Sequence, residues 1–147
     1  MFFNDEYFMK LALKEAVYAY EEDEVPVGAL VVSNNKIIGK GYNQTERLKD
    51  VTAHAEMLAI TAAANYLGAK FLEECTLYVT LEPCLMCAAA MRWARIGRLV
   101  YGATDEKAGF MLHGTKVLHP KTEITKGVLE NDCAVLMKEF FRQKRSV

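Results

Sequence analysis

The sequence predicts an α/β sandwich, in which helices cover both faces of a mixed β-sheet. Segments with strand character alternate along the chain with longer segments of helical periodicity, and this alternation is typical of that architecture. The turn signal Asn34-Asn35 joins extended segments at 27–32 and 36–42 into a predicted hairpin, which makes the sheet mixed. The 147 residues, 52% of them hydrophobic, suffice for one domain with a full core, and we place that domain over 1–147.

The first predicted element is a helix over 9–20. Apolar residues recur there at the spacing of one helix face. Asn4 or Asp5 is positioned to cap its start, and the acidic run at 21–24 ends it. Its predicted inward-facing residues are Met9, Ala12, Leu13, Ala16, Val17 and Tyr20.

The hairpin is followed by a polar loop and a second helix. The loop covers 43–50, and the alanine-rich segment at 53–67 predicts a helix that Gly68 ends. The predicted inward-facing residues of this helix are Ala55, Leu58, Ala59, Ala62 and Tyr66.

The second half of the chain continues the alternation. In chain order we predict a strand at 76–81, a helix at 84–95, a strand at 98–103, a short edge strand at 123–125 and a final helix at 128–145. The segment 105–120 is predicted to be irregular or partly helical. The predicted inward-facing residues of the final helix are Val128, Cys133, Leu136, Phe140 and Phe141.

Composition narrows the class of function. A net charge of −1 is unlike that of a general nucleic-acid binder, so any contact with a polynucleotide must come from a local patch. The start of the chain lacks a basic segment followed by an apolar run, and no apolar stretch reaches the ~18 residues that span a membrane. The four cysteines do not suggest a disulfide framework in a chain of this size. We therefore expect a cytoplasmic protein without a signal peptide or membrane span.

Two short segments carry the chemistry. One contains His54 and Glu56, and the other, Glu82-Pro83-Cys84-Leu85-Met86-Cys87, contains two cysteines three residues apart. One imidazole and two thiolates are ligands that Zn²⁺ prefers, and three protein ligands leave the fourth tetrahedral position for water, as in catalytic sites. Cys84 and Cys87 lie at a predicted helix start, where the helix dipole favours thiolates. We therefore predict one catalytic Zn²⁺ held by His54, Cys84 and Cys87.

Glu56 is the predicted proton carrier beside that metal. His54 and Glu56 are two residues apart, about 200° around a regular helix, so their side chains would diverge. The site requires that His54 precede the regular turns or that Glu56 curl back. Two other interpretations stay open: Cys84-x-x-Cys87 alone is also typical of a redox pair, and a structural zinc site would need a fourth protein ligand.

Several segments resemble one family. The His-x-Glu and Pro-Cys-x-x-Cys pair is typical of zinc-dependent nucleobase deaminases, and the wider set is similar to the bacterial tRNA-specific adenosine deaminases of the cytidine deaminase-like superfamily. The matching segments cover 24–29, 41–43, 52–56, 76–84, 95–103, 123–127 and 140–142.

The resemblance implies a three-layer α-β-α fold around a five-stranded mixed sheet, and a homodimer. It implies that Asn43 and the backbone of Ala55 grip the target base. It implies that Asp105 and the last helix, with Phe141 and Arg142 as its candidate contacts, touch nucleotides of a tRNA anticodon loop. The implied target is the wobble adenosine of an arginine tRNA, which becomes inosine.

The resulting hypothesis is a zinc-dependent hydrolytic deaminase. Zinc makes its bound water acidic, hydroxide attacks C6 of adenine, and Glu56 moves the protons. The basic residues Arg142, Lys144 and Arg145 are typical of a solvated helix face but would also suit RNA phosphates. Two alternatives remain: a deaminase of a free base or nucleoside such as guanine, cytosine or adenosine, and a zinc-stabilised RNA-binding module without catalysis.

Overall fold

The computed structural model describes residues 2–145. Its α-helices are α1 (Asp5–Glu21), α2 (Thr45–Leu48), α3 (Ala55–Leu67), α4 (Leu85–Ala94) and α5 (Glu130–Arg145). Its strands are β1 (Gly28–Ser33), β2 (Lys36–Tyr42), β3 (Cys75–Leu81), β4 (Arg98–Ala103) and β5 (Glu123–Lys126). Two 3₁₀ turns, Phe110–His113 and Thr115–Val117, lie between β4 and β5. Among the described helices, none is both long and apolar enough to cross a membrane.

The five strands form one mixed sheet in the order β2-β1-β3-β4-β5. β1 pairs antiparallel with both β2 and β3, whereas β3, β4 and β5 are parallel. Asn34 and Asn35 have φ angles of 52° and 61°, which suit the tight turn of the predicted hairpin. The predicted α/β class, the mixed sheet and the edge position of β5 are confirmed.

Helices cover both faces of the sheet, which makes three layers. Along β1, Ala29 and Val31 enter one core, with side chains of α3 and α4, while Leu30 and Val32 enter the other, with side chains of α1 and α5. Successive strand residues point to opposite faces of the sheet. Because both faces of β1 are covered, almost all of its residues are apolar.

The inward faces of two helices differ from the prediction. On α1, Val17 is exposed, and the buried set is Phe8, Met9, Ala12, Glu15, Ala16 and Ala19. On α3, Tyr66 is exposed, and the buried set is Ala55, Glu56, Ala59 and Ala63. In both helices the buried face is rotated by about one residue relative to the prediction, so that a glutamate lies on it.

Some boundaries also differ. α3 begins at Ala55, because His54 has the extended angles φ −75° and ψ 154° of an N-cap residue. α4 begins at Leu85, after Cys84 in the same role. The predicted loop at 43–50 contains the short helix α2. The final helix begins at Glu130, because Leu129 has a φ of 53° that no α-helix continues through. Its predicted inward-facing Phe141 is 41% exposed.

The connections that follow β2, β3 and β4 lie together at one end of the strands. β2 runs in the same direction as β3 and β4, since each of the pairs β1–β2 and β1–β3 is antiparallel. The segments after Tyr42, Leu81 and Ala103 therefore leave the sheet together. α3 packs closely on β2: a Cβ added at Gly39 would lie 2.5 Å from the carbonyl oxygen of Ala59. This close approach places the start of α3 beside the start of α4.

At the opposite end of the strands, a partly buried ion pair joins α1 to β4. The Arg98 guanidinium donates to both carboxylate oxygens of Asp5, at 2.9 and 2.6 Å, and the Tyr78 hydroxyl donates to the same carboxylate at 2.8 Å. The hydrogen bond from Arg98 holds the pKa of Asp5 below its usual value. The bidentate pair joins the first turn of α1 to the start of β4.

We expect Asp5→Asn to lower the free energy of unfolding by about 1–2 kcal/mol at pH 7. Because the folded-state pKa of Asp5 is depressed, its contribution is present above the unfolded pKa, about 3.9, and is lost as pH falls through the folded value. Urea unfolding from pH 7 to pH 3 should show the two proteins converging at the acid end. Glu6→Gln removes an exposed charge from the same helix turn and serves as the control; an equal effect of both changes would rule out the ion pair as the cause.

Candidate active site

Three metal-ligating side chains meet where α3 and α4 begin. The Nδ1 atom of His54 lies 3.6 Å from the Sγ of Cys84 and 3.4 Å from the Sγ of Cys87. All three donor atoms lie within 4.8 Å of one another. His54 and Cys84 are the N-cap residues of their helices, and Cys87 is buried one turn into α4.

The donor set fits a zinc ion. Zinc binds thiolate sulfur at about 2.3 Å and imidazole nitrogen at about 2.0–2.1 Å, so a tetrahedral ion holds such ligands about 3.6 Å apart. The observed separations between the imidazole and the two sulfurs agree with that spacing. The hydrogen bond from Cys87, assisted by His54, lowers the pKa of Cys84 to about 4, while the same bond and burial raise the pKa of Cys87. One thiolate is therefore ready to bind a cation, and the second must lose its proton on binding.

Glu56 lies in the first turn of α3 and is 4% exposed. Burial raises its pKa to about 7 and outweighs the hydrogen bond from its own backbone N–H. His54 lies before the regular turns, which is one of the two arrangements that the sequence required, so both side chains line the same cavity. A carboxyl group with such a pKa can both accept and donate a proton near neutral pH.

A cavity of about 280 Å³ opens at this point. Five apolar residues and seven polar ones line it: Val25, Val27, Ala55, Leu81 and Ala108, and Asn43, Thr45, His54, Glu56, Glu82, Cys84 and Asp105. A concave site that combines apolar residues with convergent polar groups is typical of a small-molecule or base-binding site. The structure thus brings together six of the sequence-predicted residues, and Cys87 lies behind them.

Asn43 is held in one orientation at the cavity wall. Its side-chain amide donates to the carbonyl oxygen of Val25, and its amide oxygen accepts the backbone N–H of Thr45, both at 3.3 Å. The residue is 7% exposed. An asparagine fixed in this way presents polar atoms at a defined position, which suits recognition of a base edge.

Phe141 and Arg142 do not line the cavity. Both lie near the end of α5, where Arg142 forms an ion pair with Glu139 at 2.6 Å and Phe141 packs edge-on against Phe140. Phe140 and Lys144 line a second groove of about 540 Å³, which shares Val25 and Thr45 with the cavity. The role of Phe141 and Arg142 in binding stays a prediction.

Sequence reasoning missed two buried glutamates near the site. Glu82 accepts the backbone N–H groups of Asp105 and Met111, at 3.1 and 3.0 Å. Glu24 accepts those of Glu46 and Arg47, at 3.1 and 2.8 Å. Each glutamate lies directly beside an apolar strand segment in the sequence. That position is unusual for a charged residue and could have indicated that the carboxylate is buried.

Comparisons with known proteins agree with this geometry. The family model "Cytidine and deoxycytidylate deaminase zinc-binding region" matches residues 3–103. The chain is 46% identical over 144 residues to the tRNA-specific adenosine deaminase of Agrobacterium fabrum, covering 95% of each chain. It is 44% identical over 147 residues to that of Bacillus subtilis, covering 96% of this chain and 91% of the relative.

Solved structures give the same result. A structure from a study of A-to-I editing by tRNA:A34 deaminases at the wobble position superposes with a TM-score of 0.83 and 44% identity, covering 88% of this chain and 98% of the other. Bacillus subtilis guanine deaminase gives a TM-score of 0.67 and 39% identity over 69% of this chain and 66% of that chain. The fold is thus cytidine deaminase-like, and the chain belongs to the family of tRNA-specific adenosine deaminases, enzymes of the zinc-binding deaminase superfamily.

Proposed function

We propose that this deaminase converts adenosine to inosine at the wobble position of tRNA, with an arginine tRNA as its substrate and one zinc ion per chain as its cofactor. The observation that carries the proposal is the convergence of the His54, Cys84 and Cys87 donors with buried Glu56 at one cavity. The relatives at 44–46% identity point to the tRNA substrate. A cytoplasmic setting suits the four cysteines, which form no disulfide.

The chemistry is the replacement of an amine by water. When bound by His54, Cys84 and Cys87, zinc supplies a water activated at neutral pH. Glu56 accepts a proton from the attacking water, whose oxygen forms a bond to C6 of the base. Glu56 would deliver that proton to the ring nitrogen, then take the second proton from the new hydroxyl at C6 and pass it to the exocyclic amine, so that the C6–N bond breaks and ammonia leaves. The burial that raises the pKa of Glu56 to about 7 suits both transfers.

The other cavity residues would hold the base and its neighbours. Asn43 and the backbone of Ala55 lie beside Glu56 on the cavity wall, where they can hydrogen-bond the edge of a flipped-out base. Asp105 lies after β4 on the cavity wall, where it would contact a flanking nucleotide. Phe141 and Arg142 are farther along, on α5, and would meet more distant parts of the anticodon loop.

We expect Glu56→Gln to lower the rate of deamination by about 10²–10⁴-fold, because the amide cannot transfer protons. Zinc content should stay at one ion per chain, since Glu56 is not among the three donors. Single-turnover kinetics and elemental analysis measure the two quantities. Glu74→Gln, an exposed change of the same kind, is the control. A Glu56→Gln enzyme that stays within about threefold of wild type would exclude the proposed proton carrier.

The substrate is tested with a transcript of an arginine tRNA that carries adenosine at the wobble position. We expect inosine at that position and none in a matched transcript with guanosine there. Free adenosine, guanine and cytidine are assayed in parallel, because the similarity to a guanine deaminase makes free-base deamination the second candidate. Turnover of a free base without any on the tRNA would keep the zinc chemistry and overturn the substrate.

We also propose a homodimer, formed by an apolar surface on α4 and the neighbouring 3₁₀ turn. Leu85, Trp93, Met111 and Leu112 are exposed there, Trp93 by 79%. Arg92 donates to the carbonyl oxygens of Lys116 and Leu118, which fixes the segment beside α4. An apolar patch of this kind is typical of an interface.

We expect Trp93→Glu to shift the protein from dimer to monomer in sedimentation velocity, because a charge would be buried in the interface. Phe2→Glu changes an aromatic residue that is 89% exposed at the start of the chain, and it should leave the mass unchanged. A Trp93→Glu protein that remains dimeric would place the interface elsewhere.

A further inference from the structure

The short helix α2 forms a rim of the catalytic cavity without being packed into the core. It contains the four residues Thr45–Leu48, and none of them is buried. Thr45 nevertheless lines the cavity. Helices of this length are not stable by themselves, and burial of an apolar face is what usually holds a helix in place. Polar contacts must therefore fix α2.

Glu24 provides the most buried of those contacts. It is 1% exposed, and its two carboxylate oxygens accept the backbone N–H groups of Glu46 and Arg47 at 3.1 and 2.8 Å. Both N–H groups lie in the first turn of α2, where no backbone acceptor within the helix reaches them. Hydrogen bonds to an ionised acceptor are about twice as strong as neutral ones. Glu24 is thus the principal tether of α2.

The two acidic residues before Glu24 tie the same region from outside. Glu22 forms an ion pair with Arg47 at 3.2 Å and accepts the hydroxyl of Tyr42 at 2.7 Å. Asp23 forms an ion pair with Lys144 of α5 at 2.6 Å. These contacts are exposed and individually weak. The acidic residues at the end of α1 thus also hold in place Arg47 and Lys144, which line the groove that leads from the cavity toward α5.

We propose that Glu24 is a positioning residue, which holds α2 in place so that the cavity rim can bind the polynucleotide around the target base. The proposal rests on the proposed function. Among the described residues, the hydrogen bonds of Glu24 go to α2 and to none of the metal donors or Glu56, so it acts on substrate binding and not on proton transfer. α2 and the residue after it carry the exposed cations Arg47 and Lys49, which a phosphate backbone would meet at this rim.

The test compares Glu24→Gln with Glu21→Gln. Both changes remove one negative charge from the same acidic run, so their long-range effects on RNA are matched. Glu21 is exposed and forms no hydrogen bond or ion pair with the described residues, whereas the amide introduced by Glu24→Gln would turn an N–H donor toward a backbone N–H. The substrate is an anticodon stem-loop with adenosine at the wobble position, and single-turnover rates are measured over a range of enzyme concentrations.

We expect Glu24→Gln to raise the half-saturating enzyme concentration about tenfold or more relative to Glu21→Gln, as the loss of one charge-assisted hydrogen bond predicts. The rate at saturation should stay within about threefold of wild type. Hydrogen exchange should accelerate in the peptide that contains Glu46 and Arg47, and the zinc content should match the control.

Two results would overturn the inference. Equal half-saturating enzyme concentrations in the two variants would show that α2 needs no tether. A lower rate at saturation, together with a loss of zinc or of thermal stability, would show that Glu24 only supports the fold. A wild-type enzyme that leaves the stem-loop unmodified but deaminates a free base would instead refute the proposed function, and the inference with it.

Discussion

The active site depends on one constraint: three ligand atoms from two separate segments of the chain must lie within bonding distance of a single ion. The sheet meets this constraint because β2 and β3 run in the same direction and are followed by helices on the same face. Gly39 and Gly41 let the backbone of α3 approach β2 closely, and small alanines complete the contact. A larger side chain there would displace α3, and with it both His54 and Glu56. The packing of a remote strand therefore controls the geometry of the metal site.

The sequence predicted the fold class and the hairpin, and it singled out the three candidate donors that the structure brings together, because each rests on a local pattern. Alternating periods define the elements, and zinc chemistry needs particular residue types at a helix start. The inward faces of α1 and α3 were predicted less well. Periodicity counts apolar side chains and cannot show that Glu15 or Glu56 faces inward while Val17 or Tyr66 faces solvent. α2 was missed because it has no apolar face at all, and its position depends on Glu24, which is distant in sequence.

Three buried glutamates show how one residue type serves different purposes. Glu24 and Glu82 each accept two backbone N–H groups, so their charges are compensated and they fix loops on either side of the cavity. Glu56 is buried with less compensation, and its pKa rises to about 7. Hydrogen bonds to backbone N–H groups suit Glu24 and Glu82 to holding loops in place, whereas a pKa near neutrality suits Glu56 to proton transfer.

Three cations of this region are already paired within the chain. Arg47 contacts Glu22, Lys144 contacts Asp23, and Arg142 contacts Glu139. Under the proposed function, RNA phosphates bound at this groove would replace these carboxylates, and since exposed pairs of this kind contribute only about 0–1 kcal/mol each, the exchange would cost little. The same pairs keep the cations in place before the substrate arrives and lower the attraction for unrelated polyanions. A protein with a net charge of −1 can in this way bind RNA at one groove without binding it everywhere.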